Sequence, residues 1–268
     1  MLGCWVSGKT PARWCEARAV CDTLPVRGTA AEVDLCVANS LGWYQAVFRT
    51  HGLSGTLTDG LWACRGKVPP YYSNALTVAP GWTAARAKVL LDLAADLGRP
   101  FSVKDSFAAM HVGAGNMREL FSAEWMLLDP SGAPPEPEPG AAEWRRVTDT
   151  VELERWEAAW RENGSPTDTR VFLPALLADA DVALIAAYRD GRIVGGCAAN
   201  RTPGAVGLSN VFAEADETES VAAGAIAETV RFAPGMPVVG YEGGDELVRF
   251  VRLGFRPVGP LRILLVSS

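Results

Sequence analysis

Tyr241 and Glu242 are the residues whose types and position point most directly to chemistry. They end a short apolar stretch, residues 237–241, that predicts a buried strand. In open α/β sheets, ligands bind beyond the carboxyl ends of strands at a point where the strand order reverses. A carboxylate there can accept a proton from a substrate, so Glu242 is the candidate general base and Tyr241 its catalytic neighbour. Glu214 and Asp216 are alternative bases, and solvated loop carboxylates are the competing interpretation.

A second candidate cluster occupies residues 71–74, directly after two consecutive prolines. Its tyrosine and amide side chains, Tyr72 and Asn74, could bind a substrate in a pocket between two halves of the chain, and packing at a sheet edge is the alternative. Lys104 and Asp105 end another predicted strand. Because opposite charges attract, we expect Lys104 to pair with Asp105 and to have no further role.

Nucleotide and metal sites have little support. Residues 3–10 match the pattern G-x-x-x-x-G-K-[ST], but two residues precede them and proline follows, so we interpret the match as coincidence. No C-x-x-C pair occurs, and neither histidine lies near a pair of cysteines, which argues against a structural zinc site. We expect His51 to cap a helix and His111 to lie on one. Reduced thiols in a cytoplasmic protein are predicted for the six cysteines: Cys4, Cys15, Cys21, Cys36, Cys64 and Cys197.

The composition limits the classes of function. The 268 residues are 49% hydrophobic and 21% charged, which predicts one large folded domain or two ordinary ones. The net charge of -6 and the lack of a Lys/Arg run argue against nucleic-acid binding. No apolar run approaches the ~18 residues of a membrane helix, and no secretory signal is evident. The abundant Ala, Gly, Arg and Val are typical of a high-GC bacterial coding sequence.

A proline-rich stretch divides the chain. Residues 129–140 contain five prolines, which neither a helix nor a central strand tolerates. We interpret this stretch as a linker between an amino-terminal domain, residues 1–128, and a carboxyl-terminal domain, residues 141–268.

Periodicity and turn residues predict a mixed α/β order in both halves. The second half reads β-α-α-β-β-β-α-β-α-β, with an Asp-Gly hairpin at 190–191 and a helix that ends at Gly254. In the first half we expect helices at 35–50, 83–97 and from 106 onward, and strands at 56–65, 72–78, 100–104 and 124–128. Because residues 98–105 can be aligned with 235–242, we interpret the halves as a diverged internal repeat.

The second half resembles the GNAT acyltransferase superfamily. The resemblance rests on the 190–191 hairpin, the strand that ends Leu208-Ser-Asn-Val-Phe-Ala213, the helix after it, and Leu253-Gly-Phe255. It implies an α/β fold built from tandem GNAT-like folds, each a mixed, mostly antiparallel sheet with flanking helices. The first half would be a more degenerate copy, packed on the second as in a dimer.

The resemblance also implies a co-substrate, acetyl-CoA or another acyl-CoA. It would lie where strand 205–213 splays from strand 237–241. The family's pantetheine-binding main chain corresponds to Asn210, Val211 and Phe212. The family's pyrophosphate site, at a helix start that favours anions, corresponds to Ala222, Ala223 and Gly224.

Two positions depart from the family pattern. Glu219 stands where a cationic or amide residue is usual, and with Asp216 and Glu217 it makes the loop acidic. Phe250 stands at the position of a tyrosine that often protonates the leaving thiolate.

The resemblance predicts an acyl-CoA-dependent N-acyltransferase in which the amine of a small molecule attacks the thioester directly. The two departures favour a second hypothesis, a catalytically degenerate relative that binds a ligand or a partner protein. A third hypothesis keeps the fold and assigns a CoA-independent reaction to a pocket between the halves. Neither nucleic acid nor a membrane is expected as a partner.

Overall fold

The fold is described from a computed structural model that covers residues 28–111, 117–129 and 142–267. Residues 3–10, the first three cysteines and all of the predicted linker except Asp129 lie outside the described residues. The boundaries of the two domains therefore stay a prediction.

The described residues form one eleven-stranded sheet, five α-helices and a short 3₁₀ helix at Pro174–Ala178. The strands are β1 (Thr56–Thr58), β2 (Leu61–Ala63), β3 (Ala75–Thr77), β4 (Phe101–Asp105), β5 (Met117–Leu128), β6 (Glu143–Arg146), β7 (Val182–Arg189), β8 (Arg192–Thr202), β9 (Ala205–Ala213), β10 (Val238–Glu242) and β11 (Arg256–Val266). The helices are α1 (Ala30–Thr50), α2 (Ala84–Leu97), α3 (Thr150–Glu162), α4 (Thr218–Phe232) and α5 (Gly244–Arg252).

The sheet order is β1-β2-β3-β4-β11-β5-β10-β9-β8-β7-β6. β3 pairs in parallel with β4, and β9 in parallel with β10, whereas all other neighbours are antiparallel. The long strands β5 and β11 pair at the centre, and each also pairs with a strand from the other half of the chain. The result is a mixed, mostly antiparallel α/β fold in which both halves share one sheet.

Helices cover both faces of this sheet. On one face, Phe48 of α1 and Trp156 of α3 belong to a single apolar core. On the other face, Leu93 of α2 packs under the first strands, and Ala225 of α4 and Phe250 of α5 pack under the strands of the second half. The core is therefore a layer on each side of the sheet, and α1 contacts strands from both halves.

Local sequence explains where these helices begin and end. Thr29 and Glu32 form a capping box at the start of α1, in which each side chain bonds the other residue's main-chain N–H. Thr83 and Asp149 accept hydrogen bonds as the caps of α2 and α3. Gly98 ends α2 in the left-handed conformation, with φ of 56°.

Asp-Gly pairs make two hairpins, one of which the sequence analysis missed. The 190–191 turn is confirmed: Asp190 and Gly191 have φ of 51° and 76° between β7 and β8. Asp59 and Gly60 have nearly the same conformation, with φ of 49° and 73°, and join β1 to β2. The single strand predicted over residues 56–65 is therefore wrong, because a turn interrupts it.

The helix predicted from Ser106 is also wrong. The Asp105 carboxylate accepts the main-chain N–H groups of Ala109 and Met110, at 3.1 and 2.9 Å, which fixes turns there instead. His111 follows these turns in an exposed, non-helical position. His51, by contrast, is confirmed as the residue at the carboxyl end of α1.

Three cysteines belong to the described residues, and all are buried free thiols: Cys36, Cys64 and Cys197. Burial raises the pKa of each, that of Cys36 to about 12. Within residues 28–111, 117–129 and 142–267, no group of three or more His, Cys, Asp or Glu side chains could hold a metal ion. No helix in these ranges is long and apolar enough to cross a membrane.

Candidate functional site

The central feature of the site is a gap between the parallel strands β9 and β10. Their pairing covers only Val206 with Val238 and Gly207 with Val239, although β9 continues to Ala213 and β10 to Glu242. Gly240 lies where the gap begins. A side chain does not fit there, because a Cβ would lie 2.8 Å from the Leu208 carbonyl oxygen. Beyond this point the facing edges of the two strands are not paired with each other.

A β-bulge at Asn210 reshapes the β9 side of this gap. Ala198 of β8 pairs with Ser209 and Gly196 pairs with Phe212, so β9 has an extra residue in between. Asn210 has φ of 51°, a conformation that is uncommon for a residue with a side chain and one that asparagine tolerates. The bulge therefore turns the main chain of residues 209–211 away from regular pairing.

The three residues that the resemblance assigns to pantetheine binding have different surroundings. Asn210 is half-buried, and its amide donates to the Ser209 hydroxyl at 3.0 Å. Val211 is half-buried against the core under α4. The Phe212 ring is buried and meets the Trp156 ring edge-on at 5.2 Å, so only its main chain is available to a ligand.

Tyr241 and Glu242 flank the β10 side of the gap on opposite faces of the sheet, as successive strand residues must. The Tyr241 ring packs edge-on against Trp125 at 5.5 Å. Burial raises the pKa of the Tyr241 hydroxyl well above 10, with Tyr44 and Glu242 adding to the effect, so it keeps its proton.

The Glu242 carboxyl combines a half-buried position with a pKa near neutrality. Loss of solvent raises its pKa to about 8, and the nearby Glu246 carboxylate contributes in the same direction. The Arg249 guanidinium and a main-chain hydrogen bond from Gly243 act against this shift but do not cancel it. A carboxyl group with this pKa can both accept and release a proton near neutral pH.

The residues assigned to pyrophosphate binding do not lie at the start of a helix. α4 begins at Thr218, so Ala222, Ala223 and Gly224 are in its second turn, and Ala222 is buried in the core. Packing explains the glycine, because a Cβ at Gly224 would lie 2.4 Å from the Trp144 indole nitrogen. The expectation that these residues begin the helix is therefore wrong, because the free N–H groups of α4 belong to its first turn. Their assignment to pyrophosphate binding stays a prediction.

The first turn of α4 carries carboxylates that are already paired. Glu217 binds the Arg189 guanidinium at 2.5 and 2.9 Å and accepts the Ser220 hydroxyl at 2.9 Å. Glu219 binds Arg249 at 3.0 Å. Two arginines thus offset the acidic character that the sequence predicted for this loop.

Phe250 is a core residue. It is buried and meets Phe255 edge-on at 5.5 Å, so it lies among apolar side chains of α5 and the start of β11.

In the first half, the parallel strands β3 and β4 are the counterparts of β9 and β10, and no gap opens between their ends. The Thr77 hydroxyl accepts the Ser106 N–H at 2.8 Å, which ties the ends of the parallel strands β3 and β4 together. The buried Arg86 guanidinium donates to main-chain carbonyls in front of α2, including those of Asp59 and Ala79. Thr83 is used as the cap of this helix.

A buried set of aromatic rings surrounds Lys104 under α1. We call Lys104, Tyr44, Tyr72, Trp125 and Tyr241 the Lys104 cluster. The Lys104 Nζ lies 4.8 Å from the centre of the Tyr44 ring, 5.5 Å from that of Trp125 and 4.1 Å from that of Tyr241. Tyr72 meets Tyr44 edge-on at 4.9 Å. The cluster joins residues from both halves of the chain beside the gap.

The expected pairing of Lys104 with Asp105 is wrong. Asp105 binds Arg262 at 2.7 Å on the other face of the sheet, because successive strand residues point in opposite directions. Lys104 instead donates to the Ser40 hydroxyl at 3.0 Å, and burial lowers the pKa of its amine to about 7. A lysine inside a short, otherwise buried strand was the sequence signal that could have identified it.

The two candidate substrate-binding residues differ in their availability. Tyr72 belongs to the Lys104 cluster and is not an edge residue. Asn74 donates its amide to the Cys64 and Gly66 carbonyls, both at 2.9 Å, and so holds the preceding loop together. Its contact with a substrate stays a prediction.

A shallow polar cleft of about 380 Å³ lies beside the 190–191 hairpin. Its charged residues are largely paired with one another, as Glu143 with Arg145 at 2.7 Å and Glu152 with the Tyr188 hydroxyl. Arg189 lines this cleft as well and binds Glu217 before α4, so the cleft adjoins the start of that helix.

Comparison with known proteins gives matches to solved structures. A GCN5-related N-acetyltransferase from Kribbella flavida is 18% identical with a TM-score of 0.61, over 86% of this chain and 96% of that one. A protein assigned to the GNAT family from Novosphingobium aromaticivorans is 14% identical with a TM-score of 0.52, over 88% and 99%. A GCN5-related N-acetyltransferase from Sphaerobacter thermophilus is 14% identical with a TM-score of 0.50, over 68% and 67%.

No protein-family model matches the chain, and no curated protein matches it by sequence. At identities this low, structural likeness bears on the fold alone. The resemblance found in the sequence is confirmed at that level: the chain has the fold of the GCN5-related N-acetyltransferases.

Proposed function

We propose that this protein is an acyl-CoA-dependent N-acyltransferase, with acetyl-CoA as the simplest donor and the amine of a small molecule as the acceptor. The observation that carries the proposal is the gap between β9 and β10. It combines unpaired strand edges, a bulge at Asn210 and the half-buried Glu242 carboxyl in one place. Main-chain N–H and C=O groups at an unpaired strand edge need partners, and a bound ligand can supply them.

The gap fits the amide-containing arm of an acyl-CoA. An extended chain with amide groups can bind an unpaired strand edge through main-chain hydrogen bonds. On the β9 side, those groups belong to residues 209–212, next to the bulge. One N–H group turned by the bulge can also stabilise negative charge on the thioester oxygen as the amine attacks.

The start of α4 suits the diphosphate part of CoA less well. The N–H groups of Thr218 to Ser220 and the helix dipole favour an anion. The carboxylates of Glu217 and Glu219 oppose it, but each is held by an arginine, Arg189 or Arg249. Because those arginines can exchange a carboxylate for a phosphate, we expect binding that weakens strongly as salt increases.

The proposed reaction needs no covalent enzyme intermediate. The amine nitrogen bonds to the thioester carbonyl carbon, its proton passes to Glu242, and the C–S bond breaks. Tyr241 gives a proton to the sulfur anion as the C–S bond breaks. Loss of solvent, which raises the pKa of Tyr241, also raises the proton affinity of a sulfur anion in the same gap, and this makes the transfer feasible. Glu242 then releases its proton to solvent and Tyr241 regains one, so the charges of both residues are restored.

We infer further that the two halves are tandem copies of one fold. The matching arrangement of β1 to β5 and β7 to β11 about the centre of the sheet supports this inference. In the first copy, the Thr77–Ser106 bond and Arg86 close the region that corresponds to the gap. The first copy would then contribute residues to the pocket but no second CoA site.

Calorimetric titration of acetyl-CoA tests the proposal, with acetyl-pantetheine as the control that lacks the diphosphate. We expect micromolar binding of acetyl-CoA and weaker binding of acetyl-pantetheine. A screen of small amines for release of the CoA thiol then tests transfer. Absence of binding up to millimolar acetyl-CoA would contradict the proposal.

A second candidate function is ligand or partner binding by a catalytically degenerate relative. The carboxylates at the start of α4 and the buried Phe250 favour it. Acetyl-CoA binding without thiol release in the presence of any amine would support this candidate. A CoA-independent reaction in a pocket between the halves is the remaining alternative, and failure of acetyl-CoA to bind would favour it.

A further inference from the structure

Lys104 is a buried amine without a negative partner. Its side chain is 0% exposed, and it uses one of its three hydrogens on the Ser40 hydroxyl. Within the described ranges no carboxylate contacts its Nζ, and loss of solvent is the sole cause of its lowered pKa. Asp105, the adjacent acid, is held by Arg262 on the opposite face. Burying an ammonium group in this way is costly unless something offsets its charge.

The aromatic rings around Lys104 offset only part of this cost. Three ring faces, those of Tyr44, Trp125 and Tyr241, stabilise an ammonium through their quadrupoles. They do not replace hydrogen-bond acceptors for the two remaining N–H groups. The titratable groups that face the amine are the hydroxyls of Tyr44 on α1 and Tyr241 on β10, and both keep their protons because burial raises their pKa.

Tyr72 carries a further donor without an acceptor, beside the Tyr44 ring that also contacts the Lys104 amine. Its side chain is 8% exposed, and the side-chain N–H groups of Trp43 and Asn210 lie close enough to its hydroxyl oxygen to act on its pKa. Its own hydroxyl hydrogen has no acceptor within hydrogen-bond distance among the described residues. The Asn210 amide lies close enough to influence its pKa, which links it to the bulged edge of the gap. A buried tyrosine hydroxyl normally donates its hydrogen to an acceptor. Because the described residues place no acceptor within reach of this hydrogen, an oxygen atom of a ligand can take that position.

These donors define what they could bind. Two ammonium hydrogens and one phenol hydrogen require acceptor oxygens, and the buried positive charge requires a negative one. Tyr241 and Asn210 are half-buried at the edges of the gap, so a ligand there is adjacent to the cluster. A carboxylate meets both requirements, since it has two acceptor oxygens and a full negative charge.

We propose that the Lys104 cluster binds the carboxylate of the acceptor, so that the substrate of this protein is an amine that also carries a carboxylate. The identity of the bound group as an acceptor rests on the proposed acyl transfer, whereas the carboxylate site does not. The cluster draws Tyr44, Tyr72 and Lys104 from the first half and Tyr241 from the second. The first half would therefore contribute to acceptor recognition at a gap that belongs to the second half.

Lysine NMR tests the site directly, because the chain has only four lysines: Lys9, Lys67, Lys88 and Lys104. The protein is labelled with ¹³C at lysine Cε, and the resonance missing from Lys104→Met identifies Lys104. Its titration midpoint is followed in sodium acetate, and in acetamide with sodium chloride at equal ionic strength. We expect acetate at about 100 mM to raise the midpoint by about half a pH unit, because it binds only the charged amine. Acetamide should leave it unchanged.

Two tyrosine variants separate binding from a general salt effect. Tyr72→Phe removes the hydroxyl whose hydrogen has no acceptor and should reduce the acetate-induced change in the Lys104 midpoint. Tyr188→Phe, whose hydroxyl binds Glu152 at a distant strand, should leave it intact. An unchanged Lys104 midpoint in acetate, or an equal change in acetamide and sodium chloride, overturns the proposal.

Acceptor kinetics then connect the site to transfer. The probes are β-alanine and its amide, 3-aminopropanamide, which have the same amine and differ in charge at the other end. We expect Lys104→Met to raise KM for β-alanine at least about tenfold and to leave KM for the amide unchanged. Transfer that favours the amide overturns the assignment of the carboxylate to the acceptor. An acetate effect on Lys104 without any acyl transfer would instead support the anion site and contradict the proposed function.

Discussion

Glu242 gives the proposed acyl transfer a specific dependence on pH. As a base it must be ionised, and burial and Glu246 raise its pKa to about 8, so the rate should increase as the pH rises through about 8. Glu242→Gln should lower kcat roughly 100-fold and abolish this increase. Thiol release from acetyl-CoA between pH 6 and 9 measures both effects. Glu214→Gln is the matched control, and an increase through pH 8 that persists in Glu242→Gln would contradict the assignment.

Lys104 makes a second prediction, on stability. Its pKa is about 7 in the folded protein against 10.5 ordinarily, so the folded state must bury a charged amine below pH 7. That cost decreases between pH 7 and 10.5, where the folded protein binds fewer protons than the unfolded one. Lys104→Met should therefore raise the free energy of unfolding, on the order of 2 kcal/mol below pH 7 and less at pH 9.

Urea denaturation at pH 5.5, 7 and 9 checks this dependence, with the exposed Lys88→Met as control. A Lys104→Met variant that is less stable than the wild type at pH 5.5 would indicate that the ammonium has a partner in the folded protein. Such a result would also weaken the proposed carboxylate site.

At the scale of elements, a substitution at Gly224 tests whether this glycine is needed for the packing of α4 or for phosphate binding. An added Cβ would lie 2.4 Å from the Trp144 indole, a rigid group that cannot simply rotate away. Gly224→Ala should lower the free energy of unfolding by about 1–3 kcal/mol, despite the higher helix propensity of alanine. Trp144→Ala should remove most of this effect in the double variant. If Gly224→Ala is fully stable but binds acetyl-CoA weakly, the glycine faces the phosphates instead.

Elements with local signals could be predicted, and those fixed by distant contacts could not. The helix predicted at 83–97 and the hairpin at 190–191 depend on residues a few positions apart, and the structure confirms both. Residues 106–110 have helix-forming residue types, but distant groups set their conformation. The Trp125 indole donates a hydrogen bond to the Ser106 carbonyl at 2.8 Å. The Ser106 main-chain N–H donates to the Thr77 hydroxyl, also at 2.8 Å.

In the candidate site too, residues with local sequence signals could be predicted, and those whose surroundings come from distant elements could not. Glu242 and Tyr241 could be selected from the end of one strand, because position along the chain is enough to identify a strand end. Lys104 could not be interpreted in this way, since its surroundings come from α1, β5 and β10. The sequence therefore favoured the nearest opposite charge, Asp105, which strand geometry directs to the other face.

At the scale of the whole molecule, the position of β11 determines how the halves hold together. β11 is last in the sequence but pairs with β4 and β5 of the first half, and β5 pairs with β10 of the second. Helix α1 adds a reciprocal contact, in which Asn39 and Asn200 each donate an amide to the other's main-chain carbonyl, at 3.0 and 3.2 Å. No spacing or periodicity in the chain indicates this exchange of strands, so the sequence predicted two domains packed as in a dimer but not the strand pairing between them.

The shared sheet predicts that the chain between the halves is dispensable once folding is complete. A protease site introduced within residues 130–140 and cut in the native protein should leave both fragments associated, because the β5–β11 ladder alone pairs residues from Arg256 to Val266. Gel filtration should give one species of unchanged size, and thermal unfolding should remain a single transition. The uncut insertion variant is the control. Fragments that separate without denaturant would show that the two halves are independent domains, and the Lys104 cluster, which needs both, would then be lost on cutting.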